Sequence, residues 1–224
     1  MHHPCPRKMV TLLILAAFIA ISTMASPVRA EVIAFDKGWK EQGFLRLWTN
    51  DYKPLGTQLK VISDGTVSLL YKAVPKSAWK SMKAKWGWSV SQSVVPTDLT
   101  RKGGDDRNLA IYFVFVDESS AQKLAGASAS KLLRNENTRA LVYVWGGNYK
   151  PGTILRSPYG PKILKTVIRR PAGKGSFSEN VNLVADFKRA FGKSPGVLVG
   201  VGISADSDDT DGKINAVVKN LEVY

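Results

Sequence analysis

Two groups of acidic residues are the parts of this sequence in which side chains could act together. The first places four of the 18 acidic residues within six positions, at Asp206, Asp208, Asp209 and Asp211. The second lies in residues 98–107 (DLTRKGGDDR). Crowded carboxylates repel one another, so we expect a counter-charge near them. Calcium ligation, an ion pair or ligand, and a solvated turn built from ordinary turn residues are the three explanations.

The two acidic groups would form one site if the fold brings them to the same end of the molecule. The candidate ligand-binding residues of this site are Lys102, Asp105, Asp106, Asp206, Asp208 and Asp209. Asp106 and Asp208 could then serve as the acid and base of a glycosidase. A structural salt-bridge network explains the same residues equally well. We expect no cofactor, with calcium on Asp206, Asp208 and Asp209 as the alternative.

Aromatic residues offer a second kind of binding surface. The segment Lys76–Trp88 interleaves three tryptophans with four lysines, and an exposed indole face could stack on a sugar ring. Tryptophan is also an ordinary core residue because it buries a large apolar area. Strand periodicity favours the core for Trp86 and Trp88, and it predicts more exposure for Trp79. The candidate platform residues are Trp86, Trp88, Tyr143 and Trp145.

The N-terminus has the order of a secretory signal. Arg7 and Lys8 precede an apolar run over residues 10–25, and Val28-Arg29-Ala30 ends in the small residues of a cleavage site. We therefore predict that residues 1–30 are a cleaved signal peptide and that residues 31–224 are one periplasmic or secreted domain. The apolar run is shorter than the roughly 20 residues of a membrane-spanning helix, so we expect no transmembrane anchor after cleavage.

Cleavage would remove whole classes of chemistry. His2, His3 and Cys5 supply every histidine and cysteine of the chain, and all three lie in the leader. The remaining domain could therefore form neither a disulfide nor a Ser-His-Asp triad, and it lacks the usual zinc ligands. Any proton transfer would fall to Asp, Glu, Lys or Tyr side chains, so whether the protein is an enzyme stays open.

The charge balance favours acidic partners. The chain has 32 basic and 18 acidic residues, and without Arg7, Lys8 and Arg29 it keeps 29 basic residues and a net charge of +11. Such an excess attracts anionic polysaccharides or lipid headgroups. A soluble basic surface is the simpler explanation. Because the protein is predicted to be exported, we do not expect nucleic acid as a native partner.

The elements that must position these side chains are mostly strands. Alternating or β-branched segments separated by turn residues predict strands. They cover residues 57–63, 66–74, 86–95, 109–116, 140–145, 163–169, 196–204 and 214–224. Asp64-Gly65 predicts a hairpin between the first two strands. The nearly continuous apolar run 109–116 predicts a central strand that is buried on both faces.

Two segments have helical character, at residues 119–133 and 180–191, and Gly192 would end the second. Residues 146–161 form a long loop of the kind that is usually functional or disordered. These elements predict a mainly β fold, a single jelly-roll or galactose-binding-like β-sandwich with one or two short helices.

The order of several motifs resembles a bacterial family known only as domain of unknown function 3047. The matching segments are 86–90, 95–106, 111–115, 141–145, 186–192 and 202–210, of which the paired aspartates and Asp206-Ser-Asp208-Asp-Thr210 are the most specific. The resemblance implies an exported jelly-roll sandwich like those of carbohydrate-binding modules. It implies no activity.

The combined features predict a non-catalytic binding domain of the bacterial envelope. We expect its ligand to be a carbohydrate or an acidic glycan. A polysaccharide-cleaving enzyme with paired carboxylates and a structural or interaction protein are the alternatives. Sandwiches host many functions, so the fold alone does not choose among the three.

Overall fold

A computed structural model describes residues 1–3 and 30–224. The predicted signal peptide lies almost wholly outside these residues and stays a prediction. Among the helices that are described, none has the length and apolar character needed to cross a membrane.

The described part of the chain folds into two β-sheets. Its strands are β1 (Glu31–Val32), β2 (Lys40–Gly43), β3 (Asp51–Pro54), β4 (Gln58–Asp64), β5 (Val67–Ala73), β6 (Lys83–Gln92), β7 (Arg107–Val116), β8 (Thr138–Gly146), β9 (Ile154–Arg156), β10 (Leu164–Arg170), β11 (Gly175–Asn182), β12 (Val197–Asp206) and β13 (Lys213–Val223). The six-stranded sheet has the order β11-β6-β13-β4-β3, with β1 also paired to β13. The seven-stranded sheet has the order β2-β5-β12-β7-β8-β10-β9, and only β8 and β10 pair in parallel. The predicted mainly β sandwich is confirmed.

Within residues 30–224, three short α-helices connect the strands, one more than the one or two that the sequence predicts. They are α1 (Glu118–Leu124), α2 (Ala129–Leu133) and α3 (Leu183–Phe191), and a 3₁₀ helix covers Lys76–Ala78. The predicted helical segment 119–133 divides into α1 and α2 around Gly126, which adopts a left-handed backbone with φ 70°. The side chain of Asn182 caps α3, and Gly192 ends it with φ 72°. Glycine suits that position because it lacks a Cβ.

The core lies between the two sheets and is aromatic. Trp86 and Trp88 from β6 meet Phe113, Tyr143 and Trp145 from β7 and β8, with ring centroids 5.4–6.0 Å apart. Their edge-on and tilted contacts are favourable geometries for aromatic rings. The core interpretation of Trp86 and Trp88 is therefore confirmed, while Trp79 is only partly buried.

The same burial corrects the expected sugar platform. Trp86, Trp88, Tyr143 and Trp145 are each at most 2% exposed. Their rings pack against one another between the sheets and present no face to a ligand. The prediction that they bind a ligand is wrong because the strand face that carries them is the inner face.

The predicted hairpin at Asp64-Gly65 is also wrong. Gly65 does adopt a turn backbone, with φ 62°. However, β4 pairs with β3 and β13 in one sheet, whereas β5 pairs with β2 and β12 in the other. The turn passes the chain from one sheet to the other, so β4 and β5 bury apolar side chains in the core from opposite sheets.

The central strand β7 packs apolar side chains on both faces of its sheet. It is the fourth of seven strands in its sheet, as its uninterrupted apolar run predicts. Its odd-numbered residues from Leu109 to Phe115 face the core. Its even-numbered residues from Ala110 to Val116 lie on the outer face of the sheet, where α1, α2 and two loops cover them in part. A pocket lies on that outer face.

Candidate functional site

A pocket of about 320 Å³ lies on the outer face of the seven-stranded sheet. Its walls are mainly aliphatic side chains of β5, β7, β8, β10 and α2. They include Leu69, Val114, Leu132, Val142, Val144 and Leu164. The volume falls in the lower part of the roughly 300–1,000 Å³ range of small-molecule pockets. Such a wall suits an apolar portion of a ligand.

The two acidic groups meet at the polar end of this pocket. Arg107, at the start of β7, donates to Asp206 at the end of β12 over 2.7 Å and to the Asp105 carboxylate over 3.2 Å. The side chains of all three residues are at most 14% exposed. The guanidinium also donates to Tyr112 and Ser204 on the same face. The counter-charge for the carboxylates is therefore Arg107.

Arg107 reaches the outer face because of a β-bulge. Pairing between β7 and β8 shifts register between Arg107 and Leu109, so Arg107 leaves the odd-numbered inner set. Bulges commonly redirect a side chain beside a functional site. Arg107 was not among the predicted site residues, since the bulge that turns it outward has no local signature. Its one signal is a basic residue directly after Asp105-Asp106 at the start of an apolar strand.

Asp206 has one carboxylate oxygen with no protein donor. Its Oδ2 accepts from Arg107, whereas its buried Oδ1 has no hydrogen-bond partner among the described residues. Burial raises the pKa of Asp206 to about 9, despite the opposing effect of Arg107. A side-chain hydrogen bond with Asp208 in the protonated form, and the charges of Asp208 and Asp105, raise this pKa further. A proton or a donor group of a ligand would satisfy this oxygen. Asp206 lines the pocket, so a ligand could supply that donor.

The buried side chain of Asp106 has a structural role. It is fully buried and does not line the pocket. It accepts hydrogen bonds from the backbone N–H groups of Asp209 and Thr210 and from the Thr210 hydroxyl. It thereby holds the turn that follows β12. This placement disfavours the predicted glycosidase pair of Asp106 and Asp208, because both Asp106 oxygens are already occupied.

The three carboxylates that come closest to forming a metal site are not the three that the sequence predicts. Asp106, Asp208 and Asp209 have carboxylate oxygens within 4.8 Å of one another, whereas the sequence pointed to Asp206 with the last two. Burial raises the pKa of Asp209, with the nearby Asp208 and Asp106 carboxyls as further causes. Calcium binding stays a prediction, and it would have to compete with the donors that already engage Asp106.

Lys102 lies at the rim and not among the carboxylates. Its Nζ is 5.7 Å from the ring centroid of Tyr159, and it forms no ion pair within the described part of the chain. The predicted long loop 146–161 is interrupted by β9, and Tyr159 lies in the loop between β9 and β10, where its hydroxyl donates to Asp105 over 3.0 Å. Burial and the Asp105 carboxylate raise the pKa of Tyr159 to about 12. This loop therefore borders the polar end of the pocket.

A second buried carboxylate, Glu179 of β11, lies away from the pocket. One oxygen accepts two hydrogen bonds from Arg169, at 2.6 and 2.9 Å. The other accepts from Arg170 at 3.0 Å and from the Trp88 indole at 3.3 Å. Both Glu179 oxygens are thus satisfied within the protein. The polar, mostly exposed sequence of β11 gave no indication of this cluster.

With the geometry established, comparison with known proteins identifies the family. The sequence model described as "Protein of unknown function (DUF3047)" matches residues 37–222. The chain belongs to this family. The family resemblance that the aspartate motifs indicate is therefore confirmed, and DUF3047 membership covers nearly the whole sandwich. No curated protein matches the chain.

Several solved structures have a distantly similar architecture. The xyloglucanase domain of NopAA from Sinorhizobium fredii, solved with cellobiose, is 13% identical and has a TM-score of 0.41, with 89% of this chain and 99% of that chain covered. The family 11 carbohydrate-binding module of Lic26A-Cel5E from Clostridium thermocellum is 11% identical, with a TM-score of 0.42 and coverage of 88% and 95%. A cellulase derived from Cel12A of Rhodothermus marinus is 10% identical, with a TM-score of 0.45 and coverage of 88% and 99%. At these values the likeness says nothing about which ligand this DUF3047 protein binds.

Proposed function

We propose that this DUF3047 protein is a non-catalytic binding domain of the bacterial envelope that holds an amphiphilic, hydroxyl-bearing ligand. A saccharide joined to an apolar chain has the required chemistry. The observation that carries the proposal is the pocket, where an aliphatic wall ends at a buried carboxylate oxygen without a donor.

The polar end supports a head group that donates hydrogen bonds. When Asp206 is ionised, its buried Oδ1 has no protein donor, and a buried acceptor that is left unpaired costs free energy. A sugar hydroxyl would supply a donor and could also accept from Arg107 or Tyr112. Arg107 is held in place by five hydrogen-bond contacts, so the head-group site is formed before a ligand arrives.

The charge at the polar end argues against an acidic head group. The carboxyl groups of Asp105 and Asp206 pair with the Arg107 guanidinium, and those of Asp208 and Asp209 also line the pocket. Even with Asp206 protonated, the remaining three carboxylates outnumber the one guanidinium. An anionic glycan would meet repulsion here, so the acidic-glycan part of the sequence prediction has no support at this site. A neutral or cationic head group is favoured.

The aliphatic wall supports an apolar body beside that head group. Most of the lining comes from valine, leucine and alanine side chains on the strands and α2. Each buried methylene of a ligand contributes about 0.8 kcal/mol. A free monosaccharide would leave this wall without a partner, so it should bind more weakly than an alkyl glycoside.

Isothermal titration of residues 31–224 with n-octyl β-D-glucoside below its micellar concentration tests the proposal. The strands, helices and core clusters described above all lie within these residues. Glucose provides the head group alone, and octane-1-sulfonate provides the same chain with an anionic head. We expect binding of the octyl glucoside that is at least about tenfold tighter than that of either control. Equal binding of octane-1-sulfonate, or no binding of the octyl glucoside, would overturn the proposal.

A further inference from the structure

The loop between β2 and β3 exposes an unusual number of apolar side chains. Its sequence is Phe44-Leu-Arg-Leu-Trp48. Leu45 is 89% exposed and Trp48 is 81% exposed, while Phe44 and Leu47 are 43% and 41% exposed. Single exposed apolar residues are common on protein surfaces, but contiguous ones mark interaction sites.

The backbone at the tip of this loop is strained. The Leu47 N–H donates to the Phe44 carbonyl over 3.2 Å and closes a tight turn. Arg46, inside that turn, has φ 67°. A residue with a Cβ rarely adopts this left-handed region, where glycine is preferred. Leu45 and Arg46 are both exposed at this turn. Backbone strain of this kind is typical of functional loops.

The chemistry of the loop fits a membrane surface better than a protein partner. Tryptophan with leucine and phenylalanine is the composition that enters the interfacial region of a bilayer, and arginine pairs with lipid phosphates. The predicted mature chain adds a net charge of +11, which attracts an anionic leaflet. Among the acidic residues that line the pocket with Phe44 and Leu47, Asp105 and Asp206 are each 6% exposed and are engaged by Arg107, whereas Asp208 is half-buried and Asp209 is exposed.

We propose that the loop of residues 44–48 inserts into the interface of a bilayer that contains anionic lipid. Leu45 and Trp48 enter the acyl boundary, and Arg46 lies among the phosphates. Phe44 and Leu47 line the pocket, so the inserted loop places the pocket beside the lipid surface. The claim that a ligand enters the pocket from the bilayer rests on the proposed function, whereas the anchoring itself does not.

Vesicle sedimentation of residues 31–224 tests the anchoring. The vesicles are phosphatidylcholine alone or phosphatidylcholine with phosphatidylglycerol, each at low and high salt. We expect binding to the anionic vesicles that weakens with salt but persists. The double variant Leu45→Ser/Trp48→Ser should bind at least about a hundredfold more weakly, because each residue contributes about tenfold or more. A thermal scan verifies that this variant is folded.

Leu55→Ser is the matched control, since Leu55 is also exposed, at 60%, but lies on the turn between β3 and β4. It should bind as the unaltered protein does. Trp48 fluorescence gives a second readout, because Trp39, Trp86, Trp88 and Trp145 are buried and Trp79 is partly buried, whereas Trp48 is 81% exposed. Its emission should shift to the blue on vesicle addition and be quenched by brominated lipid, and the shift should vanish in Trp48→Phe.

Absence of binding to either vesicle would overturn the inference. Binding that the loop variant retains would also overturn it and would indicate a purely electrostatic attraction. If the protein is retained by insoluble polysaccharide and not by vesicles, the loop binds a glycan surface and the bilayer proposal is wrong. The octyl glucoside titration is separate from all of these arms, so anchoring and ligand binding can fail independently.

Discussion

The buried carboxylates Glu179 and Asp206 differ in how the protein satisfies them. Glu179 accepts four hydrogen bonds from Arg169, Arg170 and Trp88, and both of its oxygens are occupied. Asp206 accepts from Arg107 through one oxygen, and its other oxygen has no protein donor. Burial is similar, since Glu179 is 3% and Asp206 is 6% exposed. The difference indicates that the first cluster stabilises the fold and that the second is open to a ligand.

The largest expected effect comes from removing the charge of Glu179. Glu179→Gln leaves Arg169 and Arg170 without their carboxylate, so we expect the free energy of unfolding to fall by about 3 kcal/mol. Urea denaturation measures this change. Glu222→Gln is the control, because Glu222 pairs with a half-exposed Lys85 and should contribute less than about 1 kcal/mol. If folded Glu179→Gln binds octyl glucoside more weakly, the Glu179 cluster also affects ligand binding, which would contradict its assignment to stability alone.

Filling the pocket should abolish most ligand binding at little cost in stability. Val114 lines the pocket, and in Val114→Phe the larger ring would occupy the space of the ligand chain. We expect octyl glucoside affinity to fall at least about tenfold in calorimetry, while the melting temperature changes by only a few degrees. Val95→Phe, at a residue that is 62% exposed and outside the pocket lining, should bind normally. Unchanged affinity in Val114→Phe would place the ligand elsewhere.

The raised pKa of Asp206 predicts a pH dependence of stability. A carboxyl whose pKa in the folded state, about 9, exceeds its ordinary value of 3.8 stabilises the fold at low pH and loses that contribution as pH rises toward 9. The melting temperature of the unaltered protein relative to Asp206→Asn should therefore decrease between pH 5 and pH 9. Thermal scans across this range measure it. A difference that stays constant between pH 5 and pH 9 would show that Asp206 is ionised throughout this range.

The smallest expected effect is that of calcium. Asp106 is one of the three clustered carboxylates, and its oxygens already accept from Asp209 and Thr210. We expect the melting temperature with calcium and with chelator to agree within about 1 °C, since an ion that does not bind the folded state does not stabilise it. A clear rise with calcium that Asp209→Asn abolishes would establish a metal site.

Much of the fold could be predicted from the sequence, because strand periodicity is a local property. The apolar runs that became β7 and β12 were placed within a few residues. By contrast, β11 has the sequence GSFSENVN, in which Glu179 interrupts the face that carries Phe177 and Val181, and it was not predicted. Asp64-Gly65 predicted a turn but not the change of sheet, because pairing partners are set by long-range contacts.

The candidate site was predictable only in part, for the same reason. The acidic residues stood out by composition, and the structure brings Asp105 and Asp206 together around Arg107. Periodicity placed Trp86 and Trp88 on one face and favoured the core for that face, but it could not predict that Tyr143 and Trp145 pack against them there. The bulge that turns Arg107 outward depends on pairing with β8.

Calorimetric titration of n-octyl β-D-glucoside into the unaltered protein and Asp206→Asn tests the central claim most directly. Titrations at pH 7 in buffers with different ionisation enthalpies also count the protons released. We predict that the ligand hydroxyl replaces the proton on Asp206, so the unaltered protein releases a proton on binding. Asp206→Asn should release none and bind about tenfold or more weakly, the expected loss for a hydrogen bond to a charged group. Equal affinity and equal proton release in the two proteins would contradict the assignment of Asp206 as the ligand-binding carboxylate.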